Sequence, residues 1–410
     1  MKNVCLKGLA TTFLLAASAL AQTGPFVEGK FQGRIAYSAD GNHNDPDDWI
    51  ASPVALAIFA ECGQKDRLVH FDYNCILPET NPEWEKIHAE SVLGAVKHYG
   101  YSEKVFFDCR KNLEGALANL AKAIDESSAD NPLYFIVAGP MEAPYLAIQK
   151  SRPEKRQFVY CISHSRWNDG FASRYTFRHT KRSVIEQDVN WVQIADQNRL
   201  LSLSPYGKPG PAESFASYHW MRDSAEAKVR FLWERMQVST RPDPSDAGMA
   251  YFLMTGDEQA DPAKLKKLLV DKVVPQQVMS RAKVRIEAEN FRELTGYQLE
   301  DTSDRTASHR LQVKSTGGEA GSIRTRLAQP FAAASGRYDV DVRYRNDGGA
   351  CRFSLLVNGT TVGNGWESAG KTEGWVTQTL RDVAIKAGDA VEVQAKGAPA
   401  RLDYVELIIR

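Results

Sequence analysis

Apolar and polar residues alternate in two different ways along the chain, and the change comes near residue 283. Before it, from residue 34 to about residue 270, short apolar runs alternate with longer amphipathic stretches. This pattern is typical of βαβ units, in which helices cover both faces of a largely parallel sheet. The predicted strands span residues 34–39, 67–74, 104–109, 133–138, 158–163 and 191–195. The predicted helices span residues 49–61, 82–99, 113–125 and 141–150.

The chain after residue 283 shows no helical period. Its alternating segments are separated by glycine-rich turns, and the clearest cover residues 338–344, 353–357, 390–395 and 402–409. Such a series predicts an all-β sandwich. The expected fold class is therefore α/β, with a mostly parallel sheet carrying helices on both faces, followed by the sandwich. We expect an α/β domain over residues 30–275 and the sandwich over residues 284–410, because one core rarely serves so long a chain.

The first residues predict export. Lys2 and Lys7 precede an apolar stretch at residues 9–20, and Ala19-Leu20-Ala21 has the small residues of a cleavage site. These are the parts of a secretory signal peptide, which we place at residues 1–21. No later stretch reaches the roughly 18 apolar residues of a spanning helix, so we expect no membrane span. The expected location is extracellular or periplasmic.

The charge composition bears mainly on which kinds of partner can be excluded. The 51 basic and 51 acidic residues balance, so neither nucleic acid nor an anionic membrane is expected as a partner. Five cysteines would remain after cleavage, an odd number without a Cys-x-x-Cys pair. We therefore expect no disulfide framework, at most one or two bridges, and burial of most cysteines as small apolar side chains.

The most informative polar segment follows the first predicted strand and reads Asp40-Gly-Asn-His43-Asn-Asp45-Pro-Asp47-Asp48. Carboxylates this close repel one another and need a cation, hydrogen-bond donors or solvent. A hard metal ion such as Ca²⁺, which takes oxygen ligands, is one solution. The other is a solvated acidic turn in which Asp47 or Asp48 caps the next helix.

Other polar residues also fall where predicted strands end. They are Asp72, Asn74, Gly139, Ser163 and His164. Ligands of parallel α/β sheets bind beyond the carboxyl ends of the strands, so these residues are expected near the acidic segment. This convergence favours an active site or metal site over a solvated turn.

Glycosidic cleavage would give these side chains definite roles. It needs a carboxylate that activates water or forms a covalent intermediate, and an acid that protonates the leaving oxygen. The candidate bases or nucleophiles are Asp40, Asp45, Asp47 and Asp48. Since histidine titrates near neutrality, the candidate acids are His43, His164 and Glu142. A structural role is the alternative for each histidine. Trp167 and Asn168 are candidates for a sugar subsite or, alternatively, for a capped helix start.

The predicted sandwich carries a set of motifs that together are specific. Ile286-Glu287-Ala-Glu289-Asn-Phe291 opens it and Leu402-Asp403-Tyr404 lies near its end, with further matches at residues 336–346, 356–359 and 374–377. The set resembles the jelly-roll carbohydrate-binding modules that accompany secreted polysaccharidases. This resemblance implies a structural Ca²⁺ at Glu287, Glu289 and Asp403.

Sugar recognition in such modules uses exposed aromatic rings, because a pyranose ring presents an apolar face. The resemblance therefore implies Trp366 and Tyr297 as substrate contacts. Trp375 is either a further contact or a core residue. Arg401 stands where such modules often carry a sugar-binding Asn, which makes binding less certain than the fold.

Four motifs of the α/β region occur in a recognisable order. The first strand is followed by Asp40 and then by Asp47-Asp48, and Phe71-Asp-Tyr-Asn74 closes the second. An apolar strand with a Gly-Pro turn follows at residues 135–143, and a late acidic segment lies at residues 243–251. The order resembles a secreted, divergent branch of the nucleoside-hydrolase-like superfamily.

This second resemblance implies a calcium site whose ligands are Asp40, Asp48 and Asp246. It also implies that the substrate is contacted by Asp72, Asn74, Glu142 and Asp246. The spacing differs from that of nucleoside hydrolases, because His43 or Asn44 stands in place of an inner acid. The alternative is a site without metal, in which the acids act directly.

Three functions remain open from the sequence. We expect a secreted glycoside hydrolase that acts on a polysaccharide or oligosaccharide, with a β-agarase-like enzyme as its specific form. The alternatives are a secreted calcium-dependent nucleoside N-ribohydrolase and a non-catalytic carbohydrate-binding protein. The appended module favours the first, because holding an insoluble chain raises its local concentration and does little for a diffusible nucleoside.

Overall fold

The computed structural model describes most of the chain after residue 24. The described ranges are residues 25–27, 30–41, 46–77, 80–170, 179–203, 210–274, 283–302, 304, 306–308, 311–317, 320–327, 335–386 and 388–410. The predicted signal peptide at residues 1–21 lies outside them, and so do His43 and Asp45. Within the described ranges, no helix has both the length and the apolar character needed to cross a membrane.

The first part of the chain forms a parallel sheet and its covering helices, which we call the α/β unit. After the short hairpin of β1 (Phe26–Val27) and β2 (Lys30–Phe31), its strands are β3 (Arg34–Ala39), β4 (Leu68–Tyr73), β5 (Phe106–Asp108), β6 (Leu133–Ala138), β7 (Val159–Ser163) and β8 (Asn190–Gln193). Its helices are α1 (Asp48–Glu61), α2 (Pro82–Tyr99), α3 (Cys109–Asp125), α4 (Glu142–Lys150), α5 (Pro153–Arg156), α6 (Arg166–Asp169), α7 (Lys181–Ile185), α8 (Asn198–Leu201), α9 (His219–Arg222), α10 (Ala227–Ser239), α11 (Ala247–Thr255) and α12 (Pro262–Leu269).

Local sequence accounts for the ends of the longer helices. The side chain of Asn81 accepts a hydrogen bond from the Trp84 amide at 3.4 Å, and Pro82 occupies the first turn of α2, where its missing N–H costs nothing. Gly100, with φ of +68°, ends the helix in the left-handed conformation that glycine adopts most easily. The prediction of a helix at residues 82–99 is thereby confirmed.

The strands lie in the order β5-β4-β3-β6-β7-β8, and the described pairs are parallel. The chain leaves β3 towards one side of the sheet and returns to build the other side from β6. The carboxyl ends of β3 and β6 therefore flank the point where the strand order reverses. In open α/β sheets this crevice is the usual ligand site.

Helices cover both faces of this sheet, as the near-continuous apolar strands require. On β6, Tyr134 and Ile136 join one core, which includes α1, α2, α10, α11 and α12. Phe135 and Val137 point to the opposite core, which includes α3, α4 and α7. α1 is buried over nearly its whole length. The α/β fold class predicted from the sequence is confirmed.

The last part of the chain forms two antiparallel sheets, which we call the sandwich. Its strands are β9 (Lys283–Glu287), β10 (Glu293–Thr295), β11 (Tyr297–Asp301), β12 (Leu311–Ser315), β13 (Ala320–Arg326), β14 (Gly336–Asn346), β15 (Cys351–Val357), β16 (Thr360–Thr361), β17 (Trp366–Ser368), β18 (Val376–Ile385), β19 (Ala390–Gly397) and β20 (Ala400–Ile409). One sheet has the order β10-β13-β19-β15-β16, with β17 on β15. The other has the order β11-β12-β20-β14-β18, with β9 on β20.

A single apolar core joins the two sheets of the sandwich. Tyr338, Val340 and Val342 alternate with more exposed residues along β14 and meet Phe353 and Val393 of the other sheet. Period-two alternation of this kind is what a sheet with one buried face requires. The all-β region predicted after residue 283 is confirmed.

The described cysteines are free thiols. Cys75, Cys109, Cys161 and Cys351 are buried, and Cys62 is partly buried. Burial raises the pKa of the Cys161 thiol, so it stays neutral and packs as a small apolar group. This confirms the expected burial and gives no thiolate nucleophile among these residues.

Candidate functional site

Two aspartates meet at the carboxyl edge of the parallel sheet. Asp40 follows β3 and Asp48 is the first residue of α1; both are almost fully buried, and their side chains are hydrogen-bonded to each other. Burial, followed by the charge and hydrogen bond of Asp48, raises the pKa of Asp40 well above its usual value. Two carboxyl groups in contact are expected to share one proton at neutral pH.

Backbone donors hold the Asp48 carboxylate in place. The Gly41 amide donates to Asp48 Oδ2 at 3.0 Å, and the Asp48 amide donates to Asp47 Oδ1 at the same distance. Asp47 is the N-cap of α1, so both predicted roles of this segment, acidic cluster and helix cap, occur together. The positive end of the helix dipole further offsets repulsion between the acids.

A glycine allows β6 to approach Asp40 closely. A Cβ atom added to Gly139 would lie 2.8 Å from Asp40 Cβ and 2.9 Å from the Asp40 backbone nitrogen. Both distances are too short for any side chain, and the backbone nitrogen has little room to move. Gly139 therefore fixes the position of Asp40 at the point where the strand order reverses.

We expect Gly139→Ala to displace Asp40 and to lower catalytic activity by about 100-fold, the size of effect that a shift of about 1 Å can have. Overpacking should also reduce the free energy of unfolding by about 1–3 kcal/mol. Steady-state kinetics and chemical denaturation would measure the two effects. Gly370→Ala is the control, since a Cβ there meets nothing within 4 Å. Equal behaviour of the two variants would contradict the positioning role of Gly139.

A third aspartate lies at the same edge and is bound by a histidine. Asp246 directly precedes α11, and its Oδ1 is 2.5 Å from Nε2 of His164, which follows β7. The backbone amide of Gln197 donates to the other ring nitrogen, Nδ1, at 3.3 Å. Asp196 Oδ1 lies 3.6 Å from the same nitrogen. Both ring nitrogens are thus engaged, and the ring is buried.

Competing influences act on the His164 ring. Burial disfavours its charged form, but hydrogen bonds to Asp196 and Asp246 outweigh burial and raise its pKa to about 9. The Gln197 amide, whose N–H points at Nδ1, limits this rise because it favours an unprotonated nitrogen there. In either protonation state Nε2 can donate to Asp246, so His164 orients that carboxylate.

Tyr37 lies close enough to several of the acids to be influenced by their charges. Its side chain is completely buried on β3, stacked on Phe71 at 4.7 Å. Burial raises the pKa of Tyr37, and the nearby charges of Asp246, Asp48, Asp47 and Asp40 raise it further. Among the described residues, the Tyr37 hydroxyl has no hydrogen-bond partner. Sequence inspection did not single out Tyr37, because an apolar strand residue gives no signal of this role.

The predicted calcium ligands Asp40, Asp48 and Asp246 do not form a metal-binding set in this arrangement. Asp40 and Asp48 bond to each other, and Asp246 bonds to His164. No group of three or more His, Cys, Asp or Glu side chains in the described ranges is placed to hold a metal ion.

Two residues predicted to contact substrate lie beneath the site. Asp72 accepts hydrogen bonds from Ser38 Oγ at 2.6 Å and faces His70 Nε2 at 2.8 Å, and all three side chains are buried. Ser38 and His70 engage both carboxylate oxygens of Asp72, so we expect it to support the strand ends. His70 was missed because a histidine inside an apolar strand carries no distinctive spacing.

Asn74 also supports the acidic segment from below. It has φ of +59°, is fully buried, and bonds through Oδ1 to His88 Nδ1 at 3.0 Å. Gly41 packs so closely on it that a Cβ would lie 2.5 Å from Asn74 Oδ1. Burial lowers the pKa of His88 to about 3, so the ring is neutral. Asn74 therefore positions Gly41, the donor to Asp48.

Glu142 and Trp167 lie in the segments that follow β6 and β7. Glu142 Oε2 bonds to His179 Nδ1 at 2.8 Å, which gives Glu142 a partner that sequence analysis missed. Trp167 packs against Ile76 and Leu77 in a small apolar cluster. Since the Ile76 amide donates to the Asp40 carbonyl at 3.3 Å, this cluster lies next to the acids.

Asn168 is part of a capped helix start. The backbone amide of Asn168 donates to Ser165 Oγ at 3.3 Å at the beginning of α6. The residue is almost fully buried. This placement favours the capping interpretation over the sugar subsite for Asn168.

The predicted aromatic contacts of the sandwich are less exposed than expected. Tyr297 is only 5% exposed and belongs to the sandwich core, so it cannot serve as an exposed stacking platform. Trp366 is partly exposed but stacks on Phe353 at 5.5 Å. Trp375 is partly buried and lies 5.4 Å from the guanidinium groups of both Arg343 and Arg345.

The acids predicted to hold structural calcium are also engaged by the chain itself. Ser308 Oγ lies 2.5 Å from Glu287 Oε2 and 2.8 Å from Asp403 Oδ1. Glu289 Oε1 bonds to Lys181 Nζ of the α/β unit at 2.8 Å. These three acids, engaged by Lys181, Ser308 and Arg343, thus do not fit a metal site as they are arranged.

The chain belongs to the same family as Uncharacterized protein P22 of Formosa agariphila. The two are 30% identical over 261 residues, which cover 59% of this chain and 90% of the relative. No family model matches the chain. The resemblance to nucleoside hydrolases stays a prediction.

Solved structures that are similar to this chain match less than a third of it and include carbohydrate-binding modules and a glycoside hydrolase. A family 35 carbohydrate-binding module from Clostridium thermocellum is 21% identical, with 31% of this chain and 98% of that chain covered and a TM-score of 0.26. The module CBM36 in complex with calcium and xylotriose is 22% identical, with 30% and 98% covered and a TM-score of 0.22. The GH26-CBM35 β-(1,4)-mannanase of Podospora anserina is 19% identical, with 31% and 27% covered and a TM-score of 0.26. We take no function from matches of this size.

Proposed function

We propose that this protein is a secreted glycoside hydrolase that cleaves O-glycosidic bonds of a polysaccharide, with a β-agarase-like enzyme as the specific form. The observation that carries the proposal is the buried pair Asp40–Asp48 beside Asp246 at the carboxyl edge of the sheet. Glycoside hydrolysis requires one protonated and one ionised carboxyl group near the scissile bond. Surroundings that move the pKa values of neighbouring acids apart supply the protonated and the ionised carboxyl group together.

The roles follow from the contacts of each acid. The Asp40–Asp48 pair holds a proton between two carboxyl groups and would give it to the leaving oxygen as the glycosidic bond breaks. Asp246, held by His164 Nε2, would accept the proton of a water molecule that attacks the sugar carbon. After the products leave, Asp246 releases the proton it took from water to solvent and the pair takes up a proton from solvent, so the proton balance closes.

The apolar cluster beside the acids supports a sugar as the ligand. Trp167 of α6 meets Ile76 and Leu77 of the segment after β4, and the Ile76 amide is hydrogen-bonded to the Asp40 carbonyl. An aromatic ring with aliphatic neighbours suits the apolar face of a pyranose. The cluster would thus orient a sugar ring next to the acids.

The test is a hydrolysis screen of the purified full-length protein. Agar, carrageenan, porphyran, ulvan, cellulose and xylan would be assayed for new reducing ends, with inosine and uridine assayed for base release. We expect reducing ends from at least one polysaccharide. Cleavage of the nucleosides alone would instead favour the N-ribohydrolase, and binding to a polysaccharide without hydrolysis would favour a non-catalytic carbohydrate-binding protein.

A further inference from the structure

A lysine of the α/β unit reaches into the acidic cluster of the sandwich. Lys181 is the first residue of α7, and its Nζ lies 2.8 Å from Glu289 Oε1 and 3.1 Å from Gln193 Oε1. Lys181 is 2% exposed and Glu289 is completely buried. The ammonium group also lies 5.4 Å from the centre of the Trp191 ring. A buried cation needs partners that replace its water shell. A carboxylate, an amide oxygen and an aromatic ring fill that role for Lys181.

Cationic and hydroxyl groups of the chain also occupy the other two acids of the cluster. Asp403 Oδ2 accepts a hydrogen bond from Arg343 Nη1 at 2.5 Å, and both Asp403 oxygens accept from the Ser308 amide, at 3.0 and 3.1 Å. The Ser308 hydroxyl lies between Asp403 and Glu287. Two of the three acids thus have a cationic partner in the chain itself, and burial together with the nearby charge of Glu287 still raises the pKa of Asp403.

The same cluster lies where the two parts of the chain touch. Arg166 of α6 donates to the carbonyl of Ala307, the residue before Ser308, at 3.0 Å. Arg292 Nη1 of the sandwich donates to the Asp188 carbonyl at 2.8 Å. Ile185 of α7 packs against the sandwich core as well as the core of the α/β unit. The interface therefore combines the Lys181–Glu289 ion pair with apolar packing and backbone contacts.

We propose that Lys181 takes the place of the structural calcium ion at the sandwich acids, so that an internal cation fastens the sandwich to the α/β unit. A module whose buried carboxylate is neutralised by a lysine of the neighbouring unit depends on that unit for its stability. The sandwich is then a fixed part of the protein and independent of calcium.

The first experiment measures thermal unfolding of the full-length protein with EDTA and with millimolar CaCl₂. We expect Tm to stay within about 1 °C in both, because a ligand that binds only the folded state would raise Tm with its concentration. A clear fall of Tm in EDTA, or a clear rise in CaCl₂, would overturn the proposal.

The second experiment removes the cation. Lys181→Met keeps the length of the side chain but leaves Glu289 buried without the ammonium, and we expect Tm to fall by about 10 °C. Lys150→Met is the matched control, since Lys150 is an exposed lysine of the same unit that pairs with Glu114 at the surface. A Lys181→Met protein as stable as the control would overturn the proposal.

The double variant Lys181→Met/Glu289→Gln separates charge pairing from packing. The single variants Lys181→Met and Glu289→Gln each leave one buried charge without its partner, whereas the double variant has neither charge. We therefore expect the double variant to lose less Tm than the sum of the losses in the two single variants. Losses that simply add would show that Lys181 and Glu289 act independently, which would also overturn the proposal.

Discussion

Asp48→Asn is expected to lower the rate of polysaccharide cleavage by about 1,000-fold, within the range that acid–base groups contribute. The amide keeps the oxygen that accepts from the Gly41 amide at 3.0 Å, so the loop geometry is preserved. It cannot share a proton with Asp40, and it no longer raises the pKa of that carboxyl by its charge. The protonated acid of the proposed mechanism is therefore lost.

The same substitution should leave the protein folded and even stabilise it. The pKa of Asp40 is higher in the folded state than in the unfolded state, so the folded state binds more protons. As the pH rises above the pKa of the unfolded state, Asp40 therefore lowers the free energy of unfolding more and more. Removing the Asp48 charge relieves part of that cost. We therefore expect the Tm of Asp48→Asn to equal or exceed that of the wild type at neutral pH, with a smaller difference at acidic pH.

The control for Asp48→Asn is Asp130→Asn, which changes an exposed carboxylate of the same unit. Reducing-end assays on the best substrate of the screen and thermal unfolding at several pH values make up the measurement. Activity of Asp48→Asn equal to that of the control would remove Asp48 from the catalytic machinery. A large drop in Tm would mean that the loss of activity came from unfolding.

Sequence alone predicted the fold class. Three predicted elements match the structure: the strands at residues 34–39 and 133–138 are β3 and β6, and the helix at residues 82–99 is α2. They could be predicted because the pattern of apolar residues in a long segment indicates which of its faces is buried. Polar residues at strand ends were likewise visible. What the sequence left open was the order of strands, which decides which of these ends meet.

The side-chain placements that the sequence did not indicate have a common physical cause. Asp72 lies near the end of β4 and Asn74 directly follows it, but their side chains enter hydrogen-bond networks below the edge of the sheet. The distant pairs His164–Asp246 and Lys181–Glu289 depend on packing between elements far apart in sequence, which no local pattern reports. Tyr297 is the exception, since its alternation with buried Leu299 already indicated a core position.

The role of His164 can be decided by comparing two substitutions. The sequence made His164 a candidate acid with a structural role as the alternative, and the structure has Nε2 bound to Asp246 and Nδ1 facing Gln197 and Asp196. As a positioning residue, it would matter only through its hydrogen bond to Asp246. We expect His164→Ala to lower kcat by about 100-fold with little change in KM, since a misplaced carboxylate loses its alignment with the attacking water.

His164→Gln should recover much of this loss, because the glutamine amide can still donate to Asp246 from about the place of Nε2. An acid catalyst would give the opposite result, since an amide has no proton to transfer near neutral pH and the glutamine variant would be as inactive as the alanine variant. The kcat values of the two variants, measured at matched folded fractions, distinguish the roles. Equal loss in both would restore His164 as the acid and leave the Asp40–Asp48 pair as the base.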